Sequence, residues 1–324
     1  MIRRRQLGLG LGLAAGLAAG ARAQGGYPTR PITIVSAYPP GASTDLVARA
    51  LAQRMTQTLG VSLVVESRSG GNGMLGSDHV ARARPDGYTL QVGHNGSHGL
   101  IPLFSRNPPY DPLRDFSFIA LAAAAPTALS IHPSIPASTL PELLAWARAN
   151  PDRLQVGTSG IGSHHHLAAE MLARRSGLSF VHVPFRGGAE ALTALLGGHI
   201  SLLFGTLSTA LAAGREGKVK VIALADAERA ATMPELPAIG ETLPGFAVPA
   251  IVLAMFGPAG MEPALVARLN AAANEAIGRP EYRARMTEAG MVPLAGTPER
   301  CRAQFAADIA AFRRIMQEAD LRPE

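Results

Sequence analysis

Glycines and small hydroxyl residues gather at two places where a strand-like run gives way to a helical pattern. One is Ala37-Tyr-Pro-Pro-Gly-Ala-Ser-Thr-Asp45, after Pro31-Ile-Thr-Ile-Val-Ser36. The other is Gly157-Thr-Ser-Gly-Ile-Gly-Ser163, which runs into His164-His165-His166 and then Leu167, Met171 and Leu172 at helical spacing. The chemistry that suits such loops is anion binding. Glycine has no Cβ to hold a ligand away from backbone N–H groups. The first helical turn adds unpaired N–H donors and the positive end of the helix dipole. A strand–loop–helix junction of this kind is therefore a carboxylate or phosphate site. The same residues also serve as plain caps, with Ser43 or Thr44 as N-cap and Asp45 favourable in the first turn.

A third polar cluster, His94-Asn-Gly-Ser-His98, follows the strand pattern Tyr88-Thr-Leu-Gln-Val92. Open α/β sheets place ligand contacts at such strand ends, although Asn95-Gly96 also makes a good turn. Catalytic patterns fall short. Ser159 misses the G-x-S-x-G elbow because Ile161 stands where glycine is needed. Gly71, Gly73 and Gly76 match G-x-G-x-x-G, but the next strand carries no acid to hold a ribose. Adjacent histidines at a helix start point about 100° apart and cannot all bind one metal. The only cysteine, Cys301, falls in a tail helix. No catalytic residue, metal or cofactor is expected.

These loops need elements to hold them. Strand patterns at Pro31–Ser36, Ser62–Glu66, Tyr88–Val92 and Phe116–Ala124 alternate with amphipathic helices, and the alternation restarts near 126 with Leu129–His132. Thr139 and Glu142 are spaced as a capping box. Further strands are expected at 180–183, 200–204, 219–224 and 250–256, and a Pro-rich stretch from Met233 to Pro249 reads as a return crossing. The tail from Pro263 reads as two helices, separated at Pro280. Strands alternating with helices predict parallel α/β sheets. The restart predicts two lobes, 27–125 with 249–324 and, inserted between them, 126–248.

Residues 1–23 read as a cleavable leader. Arg3-Arg4-Arg5 is the charged region, Leu7 to Ala19 the apolar one, and Ala21-Arg22-Ala23 the cleavage site. The apolar run is too short to span a bilayer, and Arg4-Arg5 leaves both general and twin-arginine export open. The chain has 30 Lys and Arg against 24 Asp and Glu. Four of the basic residues lie in the leader, which leaves 26 against 24, so the basic balance is no sign of nucleic-acid binding. Roughly 300 residues remain, enough for two lobes of ordinary size.

The opening Tyr27-Pro-Thr-Arg-Pro31 with Tyr38-Pro-Pro-Gly-Ala-Ser-Thr-Asp45 resembles that of the substrate-binding proteins of tripartite tricarboxylate transporters, the Bug family. So do Pro85-Asp-Gly-Tyr88, Pro109-Tyr-Asp-Pro112, the loop from Ser159 to Leu167, Val183-Pro-Phe-Arg-Gly187 and Gly257-Pro-Ala-Gly260. The resemblance runs through the chain in order. It implies an α/β, two-lobed periplasmic-binding-protein fold of the type II, Venus-flytrap kind. It implies a periplasmic, monomeric solute receptor that closes on a small carboxylate and passes it to membrane transporter subunits. A ligand-presenting receptor for a sensor protein, or more distantly a hydrolase, are the alternatives. By resemblance the ligand is held by backbone N–H groups, small hydroxyls and water, without a dedicated arginine. The implied contacts are Tyr38, Gly41, Ala42, Ser43 and Thr44 in the first loop and Asn95 and Ser97 after the strand. In the second lobe they are Ser159, Gly160, Ile161, Gly162, Ser163 and His164, then Phe185, Gly205 and Thr206. Ile161, His164 and His165 replace smaller polar residues usual in the family, His94 stands where a small hydroxyl is common, and Gly205 stands where many members have Asp. The missing Asp predicts a ligand without an amino group.

Overall fold

The computed structural model describes residues 26–318 and 321–323, so the predicted leader lies outside the described residues. Eleven strands among these form two sheets. The first takes β1 (Ile32–Ser36), β2 (Leu63–Ser67), β3 (Thr89–His94), β4 (Phe116–Ala125), β10 (Ile251–Pro258) and β11 (Val292–Pro293), in the order β11-β4-β10-β3-β1-β2. The second takes β5 (Thr127–Ile131), β6 (Gln155–Thr158), β7 (Val181–Pro184), β8 (Leu202–Thr206) and β9 (Lys220–Leu224), in the order β7-β6-β8-β5-β9.

The alternation of strands and helices holds, but the sheets are mixed rather than parallel. β1 is parallel to β2 and β3, and β6 is parallel to β7 and β8. β10 runs antiparallel to β3 and β4, and β5 antiparallel to β8 and β9. β11 is also antiparallel, to β4 at the sheet edge, while β5 and β10 lie where the chain changes sheets. β4 passes through Pro126 straight into β5, and β10 is the strand on which it returns. No helical crossover is needed there, so nothing forces the parallel sense. The crossings are tied together by Ala225 N–H to Thr127 O at 2.8 Å, Val248 N–H to Ala225 O at 3.2 Å, and Thr127 N–H to the Asp226 carboxylate at 2.9 Å.

Period-two burial builds the cores. Ile32 and Ile34 pack with Val47, Leu51 and Met55 of the helix Ser43–Leu59, while Val35, of opposite parity, packs with Phe116, Phe256 and Phe305 on the other face. In the second sheet Leu202 and Phe204 share a core with Leu167 and Leu172, and Leu203 faces the opposite way. Each fully buried aliphatic side chain contributes roughly 1.5–3 kcal/mol, so these faces outweigh any single polar contact.

The tail differs from expectation. Pro280 does more than end one helix; it opens another, Pro280–Glu288, between Pro263–Gly278 and Pro298–Glu318. Proline suits that first helical position because its missing N–H would have no partner there. The last helix serves both cores: Cys301 and Phe305 pack on the first sheet, and Phe312, Ile315 and Met316 join Leu129, Leu167 and Phe204.

Asn95 fixes this helix to the first sheet. Its Nδ2 donates to Ala250 O at 2.9 Å and to Asp308 Oδ2 at 2.8 Å, and its Oδ1 accepts Val252 N–H at 3.1 Å. It is fully buried. Asn95→Ala would strand a buried N–H, a carbonyl and a carboxyl that burial already pushes toward its protonated form. The expected loss is about 2–4 kcal/mol. Thermal unfolding should show a Tm lower by roughly 5–10 °C; an unchanged Tm would count against this anchor.

Candidate functional site

Four helices begin around one cavity of about 500 Å³ between the two sheets. They are Ser43–Leu59, His164–Ser176, Gly188–Leu196 and Leu207–Arg215, each entered from the end of a strand or the loop after it. Their leading residues, Ala42 and Ser43, Ser163 to His165, Gly187 to Glu190, and Thr206 with Ser208 and Thr209, all line it. The first intrahelical bonds, Leu46 N–H to Ala42 O and Leu167 N–H to Ser163 O, come only after a turn of free backbone donors. Four positive dipole ends on one space favour an anion.

The caps differ between the loops. Ser163 caps the second helix, accepting His166 N–H at 3.2 Å and donating to Gly160 O at 2.7 Å. In the first loop neither Ser43 nor Thr44 is the N-cap: both are inside the helix, and Ala42 precedes it in extended conformation. No side chain caps this helix; Asp45 instead reaches back ahead of it, accepting Gly41 N–H at 3.0 Å while Arg49 Nε lies 2.9 Å away. Asp45 is buried, and although burial alone would raise its pKa, the Arg49 and Gly41 hydrogen bonds hold it below the ordinary value.

Of the expected contacts, Tyr38, Gly41, Ala42, Ser43, Ser159, Ser163, His164 and Thr206 line the cavity. The others lie off its wall. Thr44 faces Ser36 Oγ at 3.2 Å. Asn95 is taken up by the tail anchor, and Ser97 is buried, donating to His94 O at 3.0 Å. Gly162 N–H donates to His166 Nδ1, and Phe185 packs against the cluster around Leu195, Ile200 and Leu203. Ile161 is exposed, and its carbonyl accepts Asn72 Nδ2 at 2.7 Å, a bond from one sheet's loops to the other's. Gly160 allows this approach: its φ is +120°, and a Cβ there would stand 2.9 Å from Asn72 Oδ1. Gly205 sits within β8 opposite Ala128, where a Cβ would meet only Leu203 at ordinary contact distance.

The cavity also takes residues that the resemblance does not supply. Asn72 comes from the glycine turn Gly71–Gly73, whose Gly73 leaves room for Tyr38; the Tyr38 hydroxyl donates to Asn72 O at 2.6 Å. Ile101, Leu192 and Ile251 give it an apolar side. Arg186 is an exposed residue of the lining, and Glu190 beside it accepts Arg186 N–H at 2.9 Å. A wider recess of about 710 Å³ lies along the chain crossings, bounded by Pro126, Arg175, Asp226 and Pro249, and holds none of the expected contacts.

Histidines dominate one wall. His94 stacks on Tyr38 with centroids 4.7 Å apart and meets His164 edge-on at 5.8 Å. His164 packs on Phe312, and His165 Nδ1 lies 2.6 Å from Ser159 Oγ. Burial pushes His94 down to about 3 and His165 to about 4, with His165 also opposing the charging of His94. His164 is held well below the usual imidazole range, by burial first and then by its two neighbours. Outside the cavity His98 stacks on Phe256 at 3.9 Å, and burial lowers it to about 3. Among the described residues no group of three or more His, Cys, Asp or Glu is placed to hold a metal.

These depressed values make acid a destabilising agent. A histidine that titrates near 6.5 unfolded and near 3–4 folded stabilises fully above pH 6.5 and loses that contribution as pH falls below it. His98 and His165 should each cost roughly 2 kcal/mol by pH 5. The Tm of ligand-free protein should therefore drop between pH 7 and pH 5, and His98→Gln should make the drop shallower. Equal slopes for the two proteins would exclude His98 as a contributor.

Comparison with known proteins places the chain. The family described as "Tripartite tricarboxylate transporter family receptor" matches residues 47–321. Among solved structures, Rpa4515 of R. palustris with adipate is 30% identical with a TM-score of 0.88, covering 92% of this chain and 100% of that one. The periplasmic binding protein BugD is 30% identical with a TM-score of 0.85, again covering 92% and 100%. MatC from Rhodopseudomonas palustris with bound malate is 32% identical with a TM-score of 0.82, covering 89% and 99%. The mixed two-sheet architecture, the cavity between the sheets and the match across most of the chain agree: this protein belongs to the tripartite tricarboxylate transporter receptor family.

Proposed function

We propose that the protein is an extracytoplasmic receptor that captures a small carboxylate between its lobes and hands it to the membrane subunits of a tripartite tricarboxylate-type transporter. The observation that carries this reading is the convergence of four helix N-termini on one cavity between the sheets. The adipate and malate held by its structural neighbours support the ligand class. We take 27–125 with 249–324 as one lobe and 126–248 as the other, residues 1–23 as a leader cleaved near Ala23, and the mature protein as a periplasmic monomer. The ligand contacts we assign are the cavity-lining Tyr38, Ser43, Ser159, Ser163, His164 and Thr206, together with Asn72 and Arg186.

The ligand we favour carries no amino group. Gly205 contributes only backbone. Asp45 is engaged by Arg49 and Gly41 N–H, and Glu190 is the cavity's one carboxylate among the described lining residues, already bonded to Arg186 N–H at an exposed position. An ammonium brought inside would have only the exposed Glu190 to offset a desolvation cost on the order of several kcal/mol. Ile101, Leu192 and Ile251 suit an aliphatic or aromatic body.

Calorimetry on matched pairs, an acid and its α-amino analogue, tests the selectivity. The plain acid should bind at least about tenfold more tightly, a difference of about 1.4 kcal/mol; a tighter amino acid would overturn the reading of Gly205. Small-angle scattering tests closure. With a tight ligand the radius of gyration should shrink, since the donors we assign sit on opposing lobes, around 38–45 and 159–166. An unchanged radius would mean that the cleft is already shut before binding.

A further inference from the structure

We propose that His164 and His165 are specificity-determining residues: their free Nε2 edges receive one carboxylate of the ligand, and the imidazole pair takes up a proton from solvent as that carboxylate seats. The inference rests on the cavity being a carboxylate site and says which of its walls reads the anion.

Both side chains line the cavity, at 2% and 6% exposure, and both Nε2 atoms are buried without a hydrogen-bond partner. A buried polar atom left unpaired costs about 1–3 kcal/mol. Two such atoms, on consecutive residues that both line the cavity, are unsatisfied groups that a ligand's polar atoms can pair with. The neighbouring His94 narrows the chemistry. Its Nδ1 accepts Gly96 N–H at 2.9 Å, so in the neutral ring Nε2 carries the hydrogen and this wall offers donors. Helix N-terminal backbone adds more.

His165 is built to change its proton count without moving. Its Nδ1 faces Ser159 Oγ at 2.6 Å. A hydroxyl donates to that nitrogen in the neutral ring and, by rotating, accepts from it when the ring is charged. With no anion beside the pair, burial disfavours charge on both rings, and at His164 the neighbouring His94 and His165 add to it; Arg186 and Glu190 are the charged side chains lining the same cavity. Tyr38 and Phe312 are the other rings packed on the group, and both are uncharged. A carboxylate against the Nε2 edges reverses the balance, because a nearby anion favours the imidazolium. No bond of the ligand is made or broken.

The linkage has a definite sign. A ring whose pKa is higher with ligand than without binds more tightly as pH falls through the liganded value, up to about tenfold per pH unit for one proton. The test is calorimetry with adipate, malate and benzoate on the full-length mature protein. The tightest of the three is titrated between pH 5.5 and 8 in phosphate and in Tris, whose different ionisation heats report the protons exchanged. Wild type should take up a fraction of a proton that grows toward one at the acid end, with affinity rising in step. His164→Gln and His165→Gln, which cannot be charged, should weaken binding and flatten the pH slope. Binding with no proton exchange over this range, or a slope that survives in both variants, would overturn the proposal while leaving the carboxylate receptor intact. If none of the three acids binds, both readings fall together. The wild-type proton count needs no variant to fold.

Discussion

Free backbone N–H groups at helix starts are the resource on which this protein's site depends, and the fold is what brings four of them to one place. A helix cannot satisfy its own first turn, and a strand–loop–helix unit leaves that turn at the end of its strand. In one sheet this produces a row of polar ends. Two sheets whose strand ends face one another turn two rows into a cavity. Ser43 and its neighbours supply one side, and the segments beginning at Ser163, Gly187 and Thr206 supply the other. Charged side chains are almost dispensable in such a design. Arg186 and Glu190 stand beside the helix starts, and Glu190 partly neutralises the local field.

Holding the walls in register falls to buried polar groups elsewhere. Asn95 shows how sharply position decides role. It follows a strand end, where a ligand contact is expected, yet the same polarity is directed to Ala250, Val252 and Asp308. Ser97 is likewise turned inward, and Tyr110 donates to its carbonyl. His98 lies flat on Phe256. One residue before Asn95, His94 reaches the cavity because alternation along β3 points it there and Tyr38 stacks on it.

How much of this the sequence reveals depends on the range of the interactions. The junctions at 37–45 and 157–166 are legible because glycine, small hydroxyls and a following helical period are local signals. Thr139 as N-cap of Leu140–Ala149 is legible for the same reason, its Oγ1 accepting Glu142 N–H at 3.4 Å. The antiparallel sense of β5 and β10 is not, since it follows from where the chain changes sheets rather than from the strands' composition. Nor is Asn72, which reaches Ile161 only once two segments 89 residues apart have met. The cap at Ala42 is hidden because the hydroxyls of Ser43 and Thr44 fall inside the helix, and the Asp45 carboxylate that looks like a first-turn partner is turned back to Gly41 N–H. Arg186 is visible in Val183-Pro-Phe-Arg-Gly187, but its direction is not.

The helix Pro298–Glu318 joins the two sheets in a way that the two connecting strands alone would not. Phe305 is rooted in one core while Phe312, Ile315 and Met316 are rooted in the other. A rod clamped at both ends is a spring: rotation of one lobe against the other must bend it or draw its far end across the second core. If the lobes close on a ligand as proposed, the share of binding energy that goes into changing their angle is then set partly by Phe305, Phe312, Ile315 and Met316. Two relatives with identical cavities and different tails would then differ in affinity for the same solute, a source of variation that no comparison of binding residues would reveal.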